Sequence, residues 1–388
     1  MKLNIIVILF SICLITACSG NQSTQEEAPP EVEEMTSNQP AGFYIGTYTN
    51  GISEGIYYAT FDPGDGSMRD LKLAVEAGNP SFLTLSSNGS YLYSVNESLS
   101  ESGESALMAY EVQSPGKLLP IDTTSSKGTY ACYIATDNAG QFVLSANYGS
   151  GNVISAAISS GGGFLEKSWV KQHEGSGPNA SRQEGPHAHS IILDPAERYA
   201  LAADLGTDKI MIYAVGSDGA LVENSPAFAE AAPGAGPRHI AFHPNGNVVY
   251  VINELNATIT AYDYDAESGL MSERQTVNTL PEGFSGDNKC ADIHVHPNGR
   301  LLFGSNRGHD SIVSFVIEDD GSLSLADFFT DGVKWPRNFA ISPDGGYLLI
   351  ANEQGNSIVS AKVDQETGMM EATGKRIEVG APVCIEFE

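Results

Sequence analysis

The chain has 388 residues, 41 of them Gly and 19 Pro, and 41% of its residues are hydrophobic, the proportion of a folded protein rather than a disordered one. Its 48 acidic residues outnumber 20 basic ones for a formal net charge of −28, a surface that repels phosphate backbones and excludes nucleic acid as a partner class. Sustained 3.6-residue periodicity is scarce while Gly and Pro abound, so the pattern is one of short strands and tight turns, not helices.

Met1-Lys2 opens a positive region, and Ile5 to Ile15 is mostly apolar. That run is too short to span a bilayer and reads as a signal peptide over residues 1–17. Ile15-Thr16-Ala17-Cys18 has the form of a lipobox, with Cys18 as the lipidated first residue of the mature chain. The expected location is therefore the bacterial cell envelope, periplasmic or outer-membrane, with the lipid as the only membrane contact. Residues 18–40 are polar, acidic and Pro-containing, which describes a flexible tether. Beyond Cys13 and Cys18, Cys132, Cys290 and Cys384 are far apart with no CxxC pair, so neither a disulfide framework nor a zinc site is indicated.

From residue 41 onwards one unit recurs: an apolar strand, a turn such as Pro-Asn-Gly, a second apolar strand ending in Asn, then a polar loop. Copies begin at Ser81, Cys132, His189, Arg238, Ala291 and Arg337. A spacing near ~50 residues that holds four short strands is a propeller blade. Six blades follow from these copies. The seventh combines FYIGTYT from Phe43 and GIYYATFD from Gly55 with the lone final strand APVCIEFE. The expected fold is an all-β, seven-bladed β-propeller over residues 41–388. Its ring is closed by the C-terminal strand joining the N-terminal blade, which removes exposed sheet edges.

In this topology the start of each blade's first strand and the end of its second meet around one mouth of the central channel, the natural pocket. The residue before the turn is Ser86, Asp137, Asp194, His243, His296 or Ser342, so His243 and His296 are assigned to turn support. The second strand ends in Asn96, Asn147, Asp204, Asn253, Asn306 or Asn352, a repeated slot that suggests loop capping. The slots beside these vary from blade to blade, as distinct functional groups would. One holds Glu97, Tyr148, Leu205, Glu254, Arg307 and Glu353. The first strand opens with Ser81, Cys132, His189, Arg238, Ala291 and Arg337, followed by Phe82, Tyr133, Ser190, His239, Asp292 and Asn338. Arg238, Arg307 and Arg337 form a local positive cluster in an acidic chain, and the guanidinium fork suits carboxylate, phosphate or a developing oxyanion. The alternative is pairing with Glu254 and Glu353 as blade-to-blade salt bridges.

His187-x-His189 and Asp292-x-His294-x-His296 alternate at strand spacing. A catalytic metal needs three or four such ligands converging, and His296 is already assigned to a turn, so no metal is expected. No phosphate-binding Gly-rich loop and no GxSxG elbow is found, so no cofactor is expected either.

YIGTYT at Tyr44, GPHAHS at Gly185, GPRH at Gly236, Asn253-Glu254-Leu255 and SNRGHDSI at Ser305 make the chain similar to the propeller lactonases, a family that includes 6-phosphogluconolactonase and the lactone-forming carboxymuconate cyclase. The resemblance covers the whole of residues 41–388. It implies a lactone hydrolase that opens a sugar lactone to its aldonate, with a site of one His, two Arg and one Glu. Here these are His187 or His189, with Arg238, Glu254 and Arg307. Slot alignment favours His189. His239, Asn306, His309, Arg337, Asn338 and Glu353 complete the candidate substrate-binding set. Opening a lactone needs a base for water and positive charge where the oxyanion develops. A Glu between two Arg stays ionised, which favours His as the base. Export argues for an unphosphorylated sugar lactone as substrate. Two other readings fit the same residues: a lactone-forming cyclase, or a non-catalytic propeller that binds an acidic sugar or a protein. Convergence of the Arg, Glu and His groups distinguishes catalysis from binding. A Glu254 wholly consumed by Arg pairs points towards binding.

Overall fold

The computed structural model describes residues 39–388. The signal peptide, Cys18 and all but the last two residues of the expected tether lie outside them.

Seven four-stranded antiparallel sheets surround one axis. Six are built from consecutive strands. In the remaining one, Pro382–Phe387 lies innermost beside Ala41–Thr47, Gly55–Asp62 and Ser67–Glu76. The pairing Phe43 with Phe387 and Ile45 with Ile385 closes the ring with the last strand, as the sequence leads one to expect. We number this sheet blade 1 and the others blades 2 to 7 in chain order.

The strands differ along each blade because their surroundings differ. Second strands such as Val248–Asn253 and Tyr347–Asn352 are buried along their whole length, since a neighbouring blade covers each face. They are accordingly near-continuous apolar runs. Outermost strands such as Leu270–Asn278 are mostly exposed or half-buried. The apolar core lies between blades. One cluster joins Leu301, Phe303 and Ile312 of blade 6 to Phe339, Leu348, Ile350 and Val359 of blade 7, and another joins blades 4 and 5.

The innermost strands of every blade but blade 2 carry a register shift near their start. In blade 5, Pro237 pairs with Asn253 but His239 pairs with Ile252, leaving Arg238 as the extra residue. Blades 3, 4 and 7 do the same at Cys132, His189 and Arg337, and the closing strand does so at Val383. In a regular strand Arg238 and His239 would point to opposite faces. The bulge turns both towards the channel, the re-aiming that β-bulges provide beside functional sites. Around the axis, Ser81, Phe82, Cys132, Arg238, His239, Arg337 and Val383 narrow the channel to about 10 Å³ of free space, room for about one water.

The turn histidines sit at the opposite end. His243 Nε2 meets the carbonyl of Gly299 at 2.8 Å and its Nδ1 accepts from Asn245 N. His296 repeats this with Gly345 and Asn298. Each fastens its own turn to that of the next blade.

Closure by the last strand generates a prediction. Deleting residues 382–388 exposes the edge of Ala41–Thr47 and removes Ile385 and Phe387 from the blade 1–blade 7 core. The truncated protein should lose its cooperative thermal transition by circular dichroism and elute as aggregate on size exclusion.

Candidate active site

At the mouth, the Glu254 carboxylate follows the second strand of blade 5 and meets three guanidinium groups. Its Oε1 accepts from Arg182 Nη2 at 2.6 Å. Its Oε2 accepts from Arg238 Nε at 3.1 Å and from Arg307 Nη2 at 2.8 Å. Burial alone would raise the Glu254 pKa, but Arg307, Arg238 and Arg182 outweigh it and hold it at about 2. Arg238 is the opposite case. Burial, with Arg307 and Arg337 nearby, pulls it down to about 9. The rest of Arg238 is also engaged: Nη1 donates to the Ala291 carbonyl at 2.6 Å and to His239 Nε2 at 3.1 Å. Arg307 spends Nε on the Lys289 carbonyl and Nη2 on that of Cys290.

Arg182 lies outside the repeat, on the irregular segment between blades 3 and 4, and is a site residue that slot reasoning missed. Its neighbour Gln183 is wholly buried and anchors the segment by donating to the Leu205 carbonyl and to Asp208. Arg182 Nη2 also donates to Tyr148 Oη at 3.3 Å, and the Tyr148 ring stacks on His187 at 4.5 Å. The one legible signal was that this segment holds one of the chain's few arginines three residues before GPHAHS.

The two histidines of that motif differ sharply. His187 donates from Nδ1 to the Tyr148 carbonyl at 2.9 Å. A carbonyl only accepts, so Nδ1 carries a proton, and Nε2 faces the rim 3.4 Å from Glu184 Oε1. His189 is buried against Cys132, Tyr148 and His239. Burial, then the charge of Arg238, hold its pKa well below the ordinary value. Backbone at His187 is set by Asp204, whose Oδ1 accepts from His187 N, Gly206 N and Thr207 N while Oδ2 meets His173 Nδ1 at 2.6 Å.

The other candidates divide into three groups. Arg337 lies across the mouth, stacked 5.2 Å from the Tyr48 ring centroid, donating to Tyr48 Oη at 2.8 Å and standing 3.8 Å from Glu353. Glu353 Oε2 is buried without a hydrogen-bond partner. His239 and Asn338 lie deeper and both contact Asp292. Asn306 is tied to Thr279, Cys290 and Ser311, a loop-capping role. His309 contacts Ser311 Oγ and packs on Phe284 and Phe328, away from the Glu254 cluster. His294 meets Asp292, and among the described residues no group of three or more His, Cys, Asp or Glu is arranged to hold a metal.

Residues 42–387 match the family described as "Lactonase, 7-bladed beta-propeller". The chain belongs to that family. It is 36% identical over 347 residues to the 6-phosphogluconolactonase of Bacillus subtilis (strain 168), spanning 89% of this chain and 97% of that one. Among solved structures, the periplasmic gluconolactonase of Pseudomonas aeruginosa superposes with a TM-score of 0.83 at 28% identity, covering 90% of this lactonase-family chain and 99% of the other. A Lactobacillus plantarum protein superposes at 0.84 with 29% identity, covering 90% and 100%.

The three-arginine clasp carries a stability prediction. Glu254 has an ordinary pKa of 4.5 and is held at about 2. Its contribution is therefore full above about pH 4.5 and is lost as the pH falls towards 2. Glu254→Gln leaves Arg238 and Arg307 buried without their counter-charge and should cost about 3–5 kcal/mol at neutral pH. It should also shallow the acid limb of a stability–pH curve from urea unfolding, with Asp292 still contributing its share.

Proposed function

We propose that this lactonase-family propeller hydrolyses a sugar lactone to its aldonate at the channel mouth, with His187 as general base. The observation that carries the reading is the convergence of His187, its Nδ1 protonated and its Nε2 facing the rim, with Tyr148, Arg182 and the Glu254 clasp. Side chains of Arg182 and His187 are 28% and 12% exposed against 4% for Glu254, so substrate meets the guanidinium and the imidazole first. Nε2 takes a proton from water, whose oxygen attacks the lactone carbonyl carbon. Arg182, held in place by Glu254, faces the developing oxyanion. Collapse breaks the ring C–O bond, and the imidazolium, paired with Glu184, returns its proton to the departing ring oxygen. The product acid then ionises, releasing one proton to water. Glu254 takes no proton at neutral pH. It orders the three guanidinia.

Charge balance supports an unphosphorylated substrate. Arg182, Arg238 and Arg307 already share the Glu254 carboxylate and Arg337 stands 3.8 Å from Glu353, so each guanidinium at the mouth has a carboxylate beside it rather than standing free for a phosphate dianion. The Glu353 carboxylate, 3.8 Å from Arg337, and the Glu97 carboxylate, which accepts from Ser81 Oγ, suit the hydroxyl donors of a sugar. The complete engagement of Glu254 favours a second reading, in which the mouth binds an acidic sugar without turnover.

The deciding experiment is hydrolysis by the full-length protein of glucono-δ-lactone and its 6-phosphate, corrected for spontaneous opening. Wild type should prefer the unphosphorylated lactone, and His187→Ala should lower kcat on the order of 10²–10⁴-fold. Preference for the phosphate would overturn the substrate assignment. Absence of turnover with retained sugar-acid binding would establish the second reading.

We further propose export and lipid anchoring at Cys18, from the lipobox-like residues before it. Radiolabelled palmitate should be incorporated in a bacterial host and lost in Cys18→Ser, with the variant released from membranes. Equal labelling of the two proteins would remove the anchor.

A further inference from the structure

Beneath the Glu254 clasp, the innermost strands of blades 5, 6 and 7 contribute one buried polar chain. Arg238 Nη1 donates to His239 Nε2 at 3.1 Å. His239 Nδ1 lies 2.7 Å from Asp292 Oδ1. Asp292 Oδ2 lies 2.9 Å from His294 Nε2 and accepts from Asn338 Nδ2 at 2.5 Å and Phe339 N at 3.4 Å. Asn338 is itself fixed, because its Oδ1 accepts from Ile385 N at 2.8 Å on the ring-closing strand. Arg238, His239, Asp292 and Asn338 are all buried.

The donor inventory leaves one consistent proton arrangement. A guanidinium only donates, so His239 Nε2 must be the bare nitrogen. The His239 proton then sits on Nδ1 and needs an acceptor, which Asp292 Oδ1 supplies. We infer that Asp292 is a positioning residue which, by holding the His239 proton on Nδ1, fixes the Arg238 guanidinium against Glu254. The consequence for turnover rests on the lactonase reading, whereas the tautomer itself does not. Burial, then the Arg238 charge, hold the His239 pKa at about 4, in keeping with a neutral ring at neutral pH.

Asp292→Asn separates this role from packing. On the Oδ2 side the new amide would face two fixed donors, Asn338 Nδ2 and Phe339 N. On the Oδ1 side it faces one, Ile293 N at 3.0 Å, and a ring that is free to exchange tautomers. The amide nitrogen therefore turns towards His239, whose proton moves to Nε2 and opposes Arg238.

The test uses the full-length protein with ¹⁵N-histidine. NMR should show His239, assigned by its absence in His239→Leu, protonated on Nδ1 in wild type and on Nε2 in Asp292→Asn. The kcat of that variant should fall on the order of 10²-fold, as for a displaced positioning group. Asp292→Asn/His239→Leu should regain part of the loss despite a lower Tm, because it removes the opposing proton. His239→Gln provides a variant with Asp292 intact. Its amide oxygen accepts from Arg238 while its nitrogen donates to Asp292, so it should lose much less kcat than His239→Leu. A wild-type ring protonated on Nε2, an unchanged tautomer in Asp292→Asn, or equal losses in His239→Gln and His239→Leu would overturn the inference. A wild-type ring protonated on Nδ1 in a protein that opens no lactone would sustain the tautomer assignment and remove the lactonase reading instead.

Discussion

Seven innermost strands share one axis, and the space they enclose is too narrow for bulk water. Any charge that the ring turns inward must therefore be neutralised by a neighbouring charge or by hydrogen bonds. Glu254 is where this constraint is met. A single carboxylate receives guanidinia from blades 5 and 6 and from the segment leading into blade 4. Removing its charge would leave three cations beside one another, two of them buried. The clasp is thus structural and electrostatic at once: it holds neighbouring blades together and fixes three guanidinium groups around one carboxylate. The same engagement that stops Glu254 from acting as a base makes it an organiser of positive charge.

The bulges on the innermost strands turn this constraint into a candidate site. A regular strand would offer the channel one side chain in two. With an extra residue at the mouth, Arg238 and His239 both face inward, so the lower layer can contact and hold the upper. Arg238 is held from the side by Glu254 and from below by His239, and the Asp292 layer is tied through Asn338 to the ring-closing strand. The geometry of the mouth therefore depends on the closure of the ring as well as on local contacts.

The blade count, the closing strand and the face bearing the site were legible because propeller repeats are in register, and comparing slots separates shared structural residues from singular ones. The bulge was not legible. Periodicity in Arg238-His239-Ile240 does not reveal an unpaired residue, so two-residue alternation misplaces one of the pair. Arg182 was not legible either, since it lies outside the repeat and reaches Glu254 only because the buried Gln183 pins its segment. Slot alignment favours His189 within GPHAHS, yet what distinguishes the two rings is a hydrogen bond from His187 to the Tyr148 carbonyl, a partner 39 residues away that no spacing rule supplies.

The repeats are most informative where one copy departs from the rest. Asn147, Asn306 and Asn352 each donate from the side-chain amide to a backbone carbonyl that precedes their own blade's first strand. Blade 4 alone has a carboxylate there, Asp204. Its surroundings explain the exchange: His173 Nδ1 takes one oxygen, and three backbone N–H groups, including that of His187, take the other. A carboxylate accepts on both sides at once, from the three backbone donors on one oxygen and from the His173 ring on the other. The blade that departs from the Asn pattern is also the blade whose first strand follows the proposed base. The Asp in this slot thus takes the backbone N–H of His187 that an Asn in the other blades does not meet.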